Sequence, residues 1–427
     1  FCLSRGLGDV YKRQVQDIYP LAPLQAGILF HHLAAGAGDP YVLQAQFAFA
    51  STERLQAFAQ ALQGVIERND ILRSAVLWEG LEQPLQVVWR QAPLCCEEIA
   101  LEPGDGEVLG QLQARFDSRR YRLDIAQAPL LRLVHAADPV NQRVVALLLF
   151  HHLVMDHVAL EVLQHELQAF LLGQQQRLGE AVPYRNYVAQ ARLGIGEAEH
   201  EAFFRQMLGD IDQPTLPLGL QEVPGGSAEL SEARQPLDRL LSRRLRLQAR
   251  QLGVSAASLM HLAWGRVLGS LAGQQQVVFG TVLLGRMQGG EGAERALGVF
   301  INTLPLRVDL GELPVREALL ATHERLAQLL GHEQAPLALV QRCSGVEPGT
   351  PLFSSLLNYR HSAPAANQAG QADSAWEGMQ LLNAQERSNY PLTLSIDDLG
   401  DGFMLTAVAA GIDAVSYTHL RAHETGR

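Results

Sequence analysis

Cysteine is scarce in this chain: 427 residues hold only Cys2, Cys95, Cys96 and Cys343, with no CxxC pair, so no disulfide framework is indicated. Also missing is an apolar run of about 20 residues, the length that a membrane-spanning helix needs. Basic residues are outnumbered, 34 Lys and Arg against 45 Asp and Glu, for a net charge of −11, and they form no block. Such a chain is a poor match for nucleic acid or an anionic membrane, and a cytoplasmic location is expected. The nucleophile motif GxSxG is absent; the nearest segment, Gly253–Ala257 (GVSAA), fails at its last position. Gly285–Gly292 (GRMQGGEG) is glycine-rich but lacks the Lys-Ser/Thr ending of a phosphate loop, and reads as a crossover loop.

What the chain does have is a block of chemistry behind an apolar run. Val144–Phe150 is seven apolar residues in a row, followed by His151, His152 and Asp156. A continuous run of that length suits a strand buried on both faces, and ionisable residues at the end of such a strand are where α/β enzymes often place chemistry. Beyond it Ala159, Leu160, Leu163, Leu167, Phe170 and Leu171 recur at helical spacing, so the histidines belong to a strand-to-helix turn. Imidazole titrates near neutrality and suits proton transfer there, and Asp156 is placed to orient a histidine or to pair with an arginine from elsewhere. By themselves, two histidines in such a turn are as often structural as functional.

About 400 residues is more than one core usually holds, so two domains are expected, with a seam before the Pro/Gly-rich stretch Gln213–Gly226. In the first, Leu55, Phe58, Leu62, Val65 and Ile66 mark an amphipathic helix. In the second, Leu240–Leu271 reads as two helices broken near Gly253, with Ser255 capping the latter, before a strand at Val277–Leu284. Trp78 and Trp264 read as core. The ends are a different matter. Asp9–Gln14 can be encoded as GAT GTG TAT AAG AGA CAG, whose reverse complement, in another frame, encodes Ser416–His419. One oligonucleotide written at both ends looks like a sequencing adapter, so 1–14 and 415–427 are expected to be scars with no part in the fold.

The motifs, taken together, resemble those of condensation domains from nonribosomal peptide synthetases. His151–His157 (HHLVMDH) is similar to that family's HHxxxDG signature. Tyr19–Phe30 (YPLAPLQAGILF) precedes it like the opening motif and Arg68–Ser74 (RNDILRS) like the second. Tyr184–Gln190 (YRNYVAQ) follows, then Val278–Arg286 with Gly298–Arg307 (VFGTVLLGR, GVFINTLPLR), HEQAPL from His332 and ERSNYPL from Glu386. One departure is His157 where the signature has Gly. That replacement also suggests the HxHxDH zinc pattern, but Val154 stands where a ligand is needed, so no metal is expected. A further motif, His31–Asp39 (HHLAAGAGD), resembles the HH(I/L)xxxxGD signature of the dual epimerisation/condensation subtype; without the family it would read as a polar turn.

The resemblance implies an α/β fold of two chloramphenicol-acetyltransferase-like lobes in a V, here 15–190 and 191–414, the end of the second being open to truncation. It implies amide-bond formation between a carrier-bound aminoacyl or peptidyl thioester and a carrier-bound amine, after epimerisation of the donor in the dual subtype. Such chemistry needs positioning and oxyanion donors rather than a protein nucleophile, consistent with the missing GxSxG and with no cysteine beside the His turn. His152, with His151, is then the catalytic candidate, and Asp156 is structural, paired with Arg286, Arg73 or Arg68. His31, His32, Gly38 and Asp39 form the subtype motif, and Tyr184, Asn302, Asn358 and His361 are candidates for a substrate tunnel. No cofactor is expected on the domain itself, phosphopantetheine arriving on peptidyl carrier partners, with an adenylation domain adjacent. The alternatives are a plain condensation domain, a stand-alone acyltransferase of the same fold, and a non-catalytic recruitment platform.

Overall fold

The computed structural model describes residues 14–36, 38–101, 104, 106–221, 230–286, 292–311, 313–361, 374–385 and 390–410. Apart from Gln14, the two expected scars lie outside the described residues, as do 287–291 of the glycine-rich loop and 386–389 of the last motif. Strands and helices are mixed throughout, in two compact units. The first takes the chain up to Gly194, together with Leu284–Ile301 and the segment that carries the strand Met379–Gln385; the second takes most of the remainder. The lobe expected to run unbroken over 191–414 is thus interrupted: two of its segments belong to the first unit. Sequence patterning could not show this, because each segment is short and joins partners far away in the chain.

Among the described residues the first unit holds two sheets. A three-stranded sheet has the order β1 (Val15–Pro20), β4 (Leu85–Trp89), β3 (Ser74–Leu77). A five-stranded sheet has the order β12 (Met379–Gln385), β2 (Val42–Phe49), β7 (Arg143–His151), β6 (Leu131–Asp138), β5 (Cys95–Glu98), all antiparallel except β5 with β6. The apolar run is central β7, and alternation along it explains its composition. Ala146, Leu148 and Phe150 enter one core with Leu55, Phe58, Leu62, Val65 and Ile66 of helix α1 (Thr52–Arg68). Val145, Leu147 and Leu149 enter another with Ile99, Leu112 and Phe116. Each face of β7 is covered by a core, which accounts for the unbroken apolar run from Val144 to Phe150. Helix α2 (His157–Leu171) follows the turn and buries Ala159, Leu163 and Leu167 in the first core.

The described residues of the second unit form a mixed sheet, in the order β10 (Asn302–Asp309), β9 (Gln276–Leu283), β11 (Ser355–His361), β13 (Leu392–Asp398), β14 (Phe403–Ala410), β8 (Leu230–Pro236). The break expected near Gly253 is a left-handed cap at φ +68° ending the helix Arg239–Leu252, and Ser255 Oγ accepts the Ser258 amide at the start of Ala256–Ala272. Trp264 is buried in this unit's core and Trp78 is half-buried against the first unit's. Among the described residues no helix is long and apolar enough to cross a membrane.

Candidate active site

β7 delivers the two histidines into a tight turn and gives them opposite surroundings. His151 pairs in register with Val42 and is fully buried. Its Nδ1 accepts the Leu153 amide at 3.1 Å, which assigns the ring proton to Nε2, and Nε2 donates to Asp39 Oδ2 at 2.9 Å. Burial pushes the His151 pKa down, opposed by the Asp39 carboxylate, so the ring stays neutral. His152 is half-buried. Its backbone N–H donates to the Tyr41 carbonyl at 2.8 Å, and its ring Nδ1 donates to the Met155 carbonyl at 2.8 Å. A carbonyl can only accept, so in the neutral ring the lone pair lies on Nε2. That tautomer can accept a proton or a hydrogen bond from an incoming group.

Asp156 begins α2 rather than facing either histidine. Its Oδ1 accepts the Ala159 amide at 2.8 Å, a helix N-cap, while its Oδ2 accepts the amides of Phe300 at 2.9 Å and Ile301 at 3.3 Å. Arg286 completes the carboxylate's shell at 3.3 Å, donates to the carbonyls of Ala293 and Ala296, and lies 4.1 Å above the Phe300 ring. Of the three arginines considered, Arg286 is thus the partner. Arg68 pairs instead with Glu166 at 3.0 Å, and Arg73 donates to the carbonyls of Ile66 and Trp89 and to Gln16. Both are committed to holding α1 against its neighbours.

The described residues of the HHLAAGAGD segment meet the same turn through Asp39, which reaches His151. The helix Pro23–Ala34 ends within the segment, and Arg122 donates to the carbonyls of His32, Ala35 and Gly36. His31 is exposed, its ring 6.1 Å from that of Tyr41, which lies 6.4 Å from the His152 ring. His32 is buried and its Nδ1 donates to Asp39 Oδ2 at 2.5 Å. Burial would raise the Asp39 pKa, but hydrogen bonds from His151 and His32 outweigh it and hold the carboxyl well below its ordinary range. Gly38 admits the close approach that places Asp39: a Cβ there would collide with the Arg119 carbonyl.

His32, Asp39 and His151 bring three ligand-type atoms within 4.8 Å of one another. Their N···O separations of 2.5 and 2.9 Å are hydrogen bonds, and the Leu153 amide leaves His151 Nε2 protonated, so the donor set does not fit a metal ion. His157, the Gly departure, is the first residue of α2, 3.8 Å from Glu161.

Of the four tunnel candidates, Tyr184 is buried in the first unit, its hydroxyl donating to the Val299 carbonyl at 2.6 Å. The other three lie in the second unit. Asn302 is buried, with its amide donating to the carbonyls of Glu333 and Ala335 at 2.8 Å each. Asn358 and His361 stand on β11, the latter exposed and 3.6 Å from Asp398. Tyr184 and Asn302 therefore tie backbone segments together.

Comparison with known proteins adds a family. The family model described as Condensation domain matches residues 15–410. Two synthetases of Mortierella alpina are similar over nearly the whole chain: malpinin synthetase is 50% identical over 396 residues, 93% of this chain, and malpibaldin synthetase is 47% identical over 392 residues, 92% of this chain. The chain spans only 5% and 7% of those two relatives. Among solved structures, the condensation domain from the monacolin K polyketide synthase MokA shares the fold at a TM-score of 0.69, with 17% identity and 93% of each chain covered.

Proposed function

Because this chain belongs to the condensation-domain family, we propose that it forms a peptide bond within a nonribosomal peptide synthetase. The donor is an aminoacyl or peptidyl thioester on one carrier domain and the acceptor is the amine of an aminoacyl group on another. The observation that carries this reading is the tautomer of His152: Nδ1–H is spent on Met155, and Nε2 is left as an acceptor at a half-buried position. There it holds or deprotonates the acceptor amine. The N–C bond forms, the C–S bond breaks, and the donor's phosphopantetheine thiol departs with the proton. Phosphopantetheine comes in covalently on the carriers, the domain supplies no cofactor of its own, and an adenylation domain neighbours it in the synthetase.

The finer reading is dual epimerisation and condensation, and the HHLAAGAGD segment supports it by standing against the His turn. The donor Cα–H lies beside the thioester carbonyl. A base at His152 Nε2 takes that proton, the electron pair is delocalised as an enolate, and a water molecule on the opposite face protonates Cα while the imidazolium gives its proton back to solvent, so the D residue forms and the base is free again before the amine attacks. The test is chiral analysis of the product from an L-loaded donor carrier and a loaded acceptor carrier. A D residue in the new amide supports the dual reading, and an L residue reduces it to plain condensation. No product, with carrier binding retained, would point to a recruitment platform.

A further inference from the structure

Asp39 collects more donors than a turn residue needs. Its carboxylate is fully buried and accepts three N–H groups: His32 Nδ1 at 2.5 Å and His151 Nε2 at 2.9 Å on Oδ2, and the Tyr41 amide at 2.9 Å on Oδ1. Two of the three lead to the reactive ring. His151 precedes His152 in the chain, and the Tyr41 carbonyl receives the His152 amide at 2.8 Å. Asp39 thus holds the ring of the residue before His152 and the backbone of the residue that receives the His152 amide, at the point where the β2–β7 pairing ends at Val42 and His151.

We propose that Asp39, held by His32, is a positioning residue that fixes the geometry of His152. Neither side chain meets substrate, since both are buried; they act through the turn. The inference rests on the reading of His152 as the reacting group, and it goes beyond the subtype signature in one respect. A clamp on the turn serves amide formation as well as epimerisation, so its loss slows both. Charge and valence matter here. An isosteric amide accepts on one oxygen only and turns its NH2 toward N–H groups, so Asp39→Asn keeps the volume and breaks the pattern. His32 needs only to donate, and an asparagine at 32 offers an amide N–H near the position of Nδ1.

The experiment uses the whole chain with loaded donor and acceptor carriers, with single-turnover amide formation and imidazole 15N spectra of His151 and His152 as readouts. Asp39→Asn is expected to lower the rate at saturating carriers by about ten- to a hundredfold, by analogy with the loss seen when the hydrogen-bond partner of a metal-bound imidazole is removed. Apparent carrier affinity should stay within about twofold, as expected for groups that do not touch substrate, and the Nε2–H signature of His151 should change. His32→Asn should stay within about threefold of the parent, one retained hydrogen bond being the difference, while His32→Leu should fall with Asp39→Asn. A parent-like rate in folded Asp39→Asn would overturn the proposal, as would equal rates for the two His32 variants. So would a slowed rate with unaltered imidazole signals, or stoichiometric zinc in the parent that Asp39→Asn loses. If the parent makes no product, the proposed function fails instead, and the imidazole spectra still decide whether Asp39 governs the two rings.

Discussion

Removing the Asp156 carboxylate should unlatch α2 from the Leu284–Ile301 segment. Four donors converge on it: the amides of Ala159, Phe300 and Ile301, and the Arg286 guanidinium. The side chain has no exposed surface and Arg286 is only 9% exposed, so Asp156→Ala strands a buried cation and two interior amides. Breaking a buried pair in this way costs about 3 to 5 kcal/mol. The lost N-cap, about 1 kcal/mol, overlaps with that figure rather than adding to it. In a unit of roughly 200 residues each kcal/mol moves Tm by about 2 to 4 °C, so a loss near 4 kcal/mol lowers Tm by about 8 to 16 °C. Calorimetry is the assay, with Arg286→Met and the double variant beside it. Arg286→Met leaves the three amides in place and should cost less, about 1 to 3 kcal/mol, and the double variant should fall short of the sum. An unchanged melting curve with lost turnover would refute the latch and assign Asp156 to the chemistry; additive losses would refute the pairing.

Gly285 has φ +62°, and a Cβ there would run into the Phe300 carbonyl, which the Tyr187 hydroxyl holds at 3.0 Å. Gly285→Ala should therefore cost more than about 3 kcal/mol, read by urea denaturation, because strain and overlap combine and the acceptor is pinned; a cost under about 1 kcal/mol would mean the segment shifts freely. Stability should also fall with acid before the carboxylates titrate. Burial lowers the His261 pKa to about 4 and pushes His151 down as well. A histidine depressed in the folded state leaves the unfolded chain holding more protons, so stability drops as pH falls below about 6.5, until the folded pKa is passed. For His261 alone the loss between pH 7 and pH 5 is about 2 kcal/mol. The second unit of a His261→Gln variant should show a shallower pH dependence in chemical denaturation, and an identical slope would count against it.

The strand at Val144–Phe150, the helix at Leu55–Ile66 and the helix pair broken at Gly253 were legible because each rests on local periodicity or one cap. The sharing of β7 between two cores was implied by its unbroken apolarity. Which arginine meets Asp156 was not, since Arg68, Arg73 and Arg286 are alike in sequence and only the return of Leu284–Ile301 selects the last. The HHLAAGAGD segment was visible as a motif, but its contact with the His turn was hidden: Asp39 and His151 stand 112 residues apart, and the hydrogen bond between them is set by the β2–β7 register. β12 escaped notice for a related reason. Met379–Gln385 (MQLLNAQ) has no β-branched residue, and it is a strand because the edge of β2 offers it partners.

The central claim is that His152 Nε2 acts on the carrier-bound substrates, and single-turnover product formation by His152→Ala tests it most directly, alongside carrier binding measured on the same preparation. A fall of about a hundredfold or more in rate, with carrier affinity and melting curve kept, is the predicted result. A parent-like rate from a folded His152→Ala would contradict it.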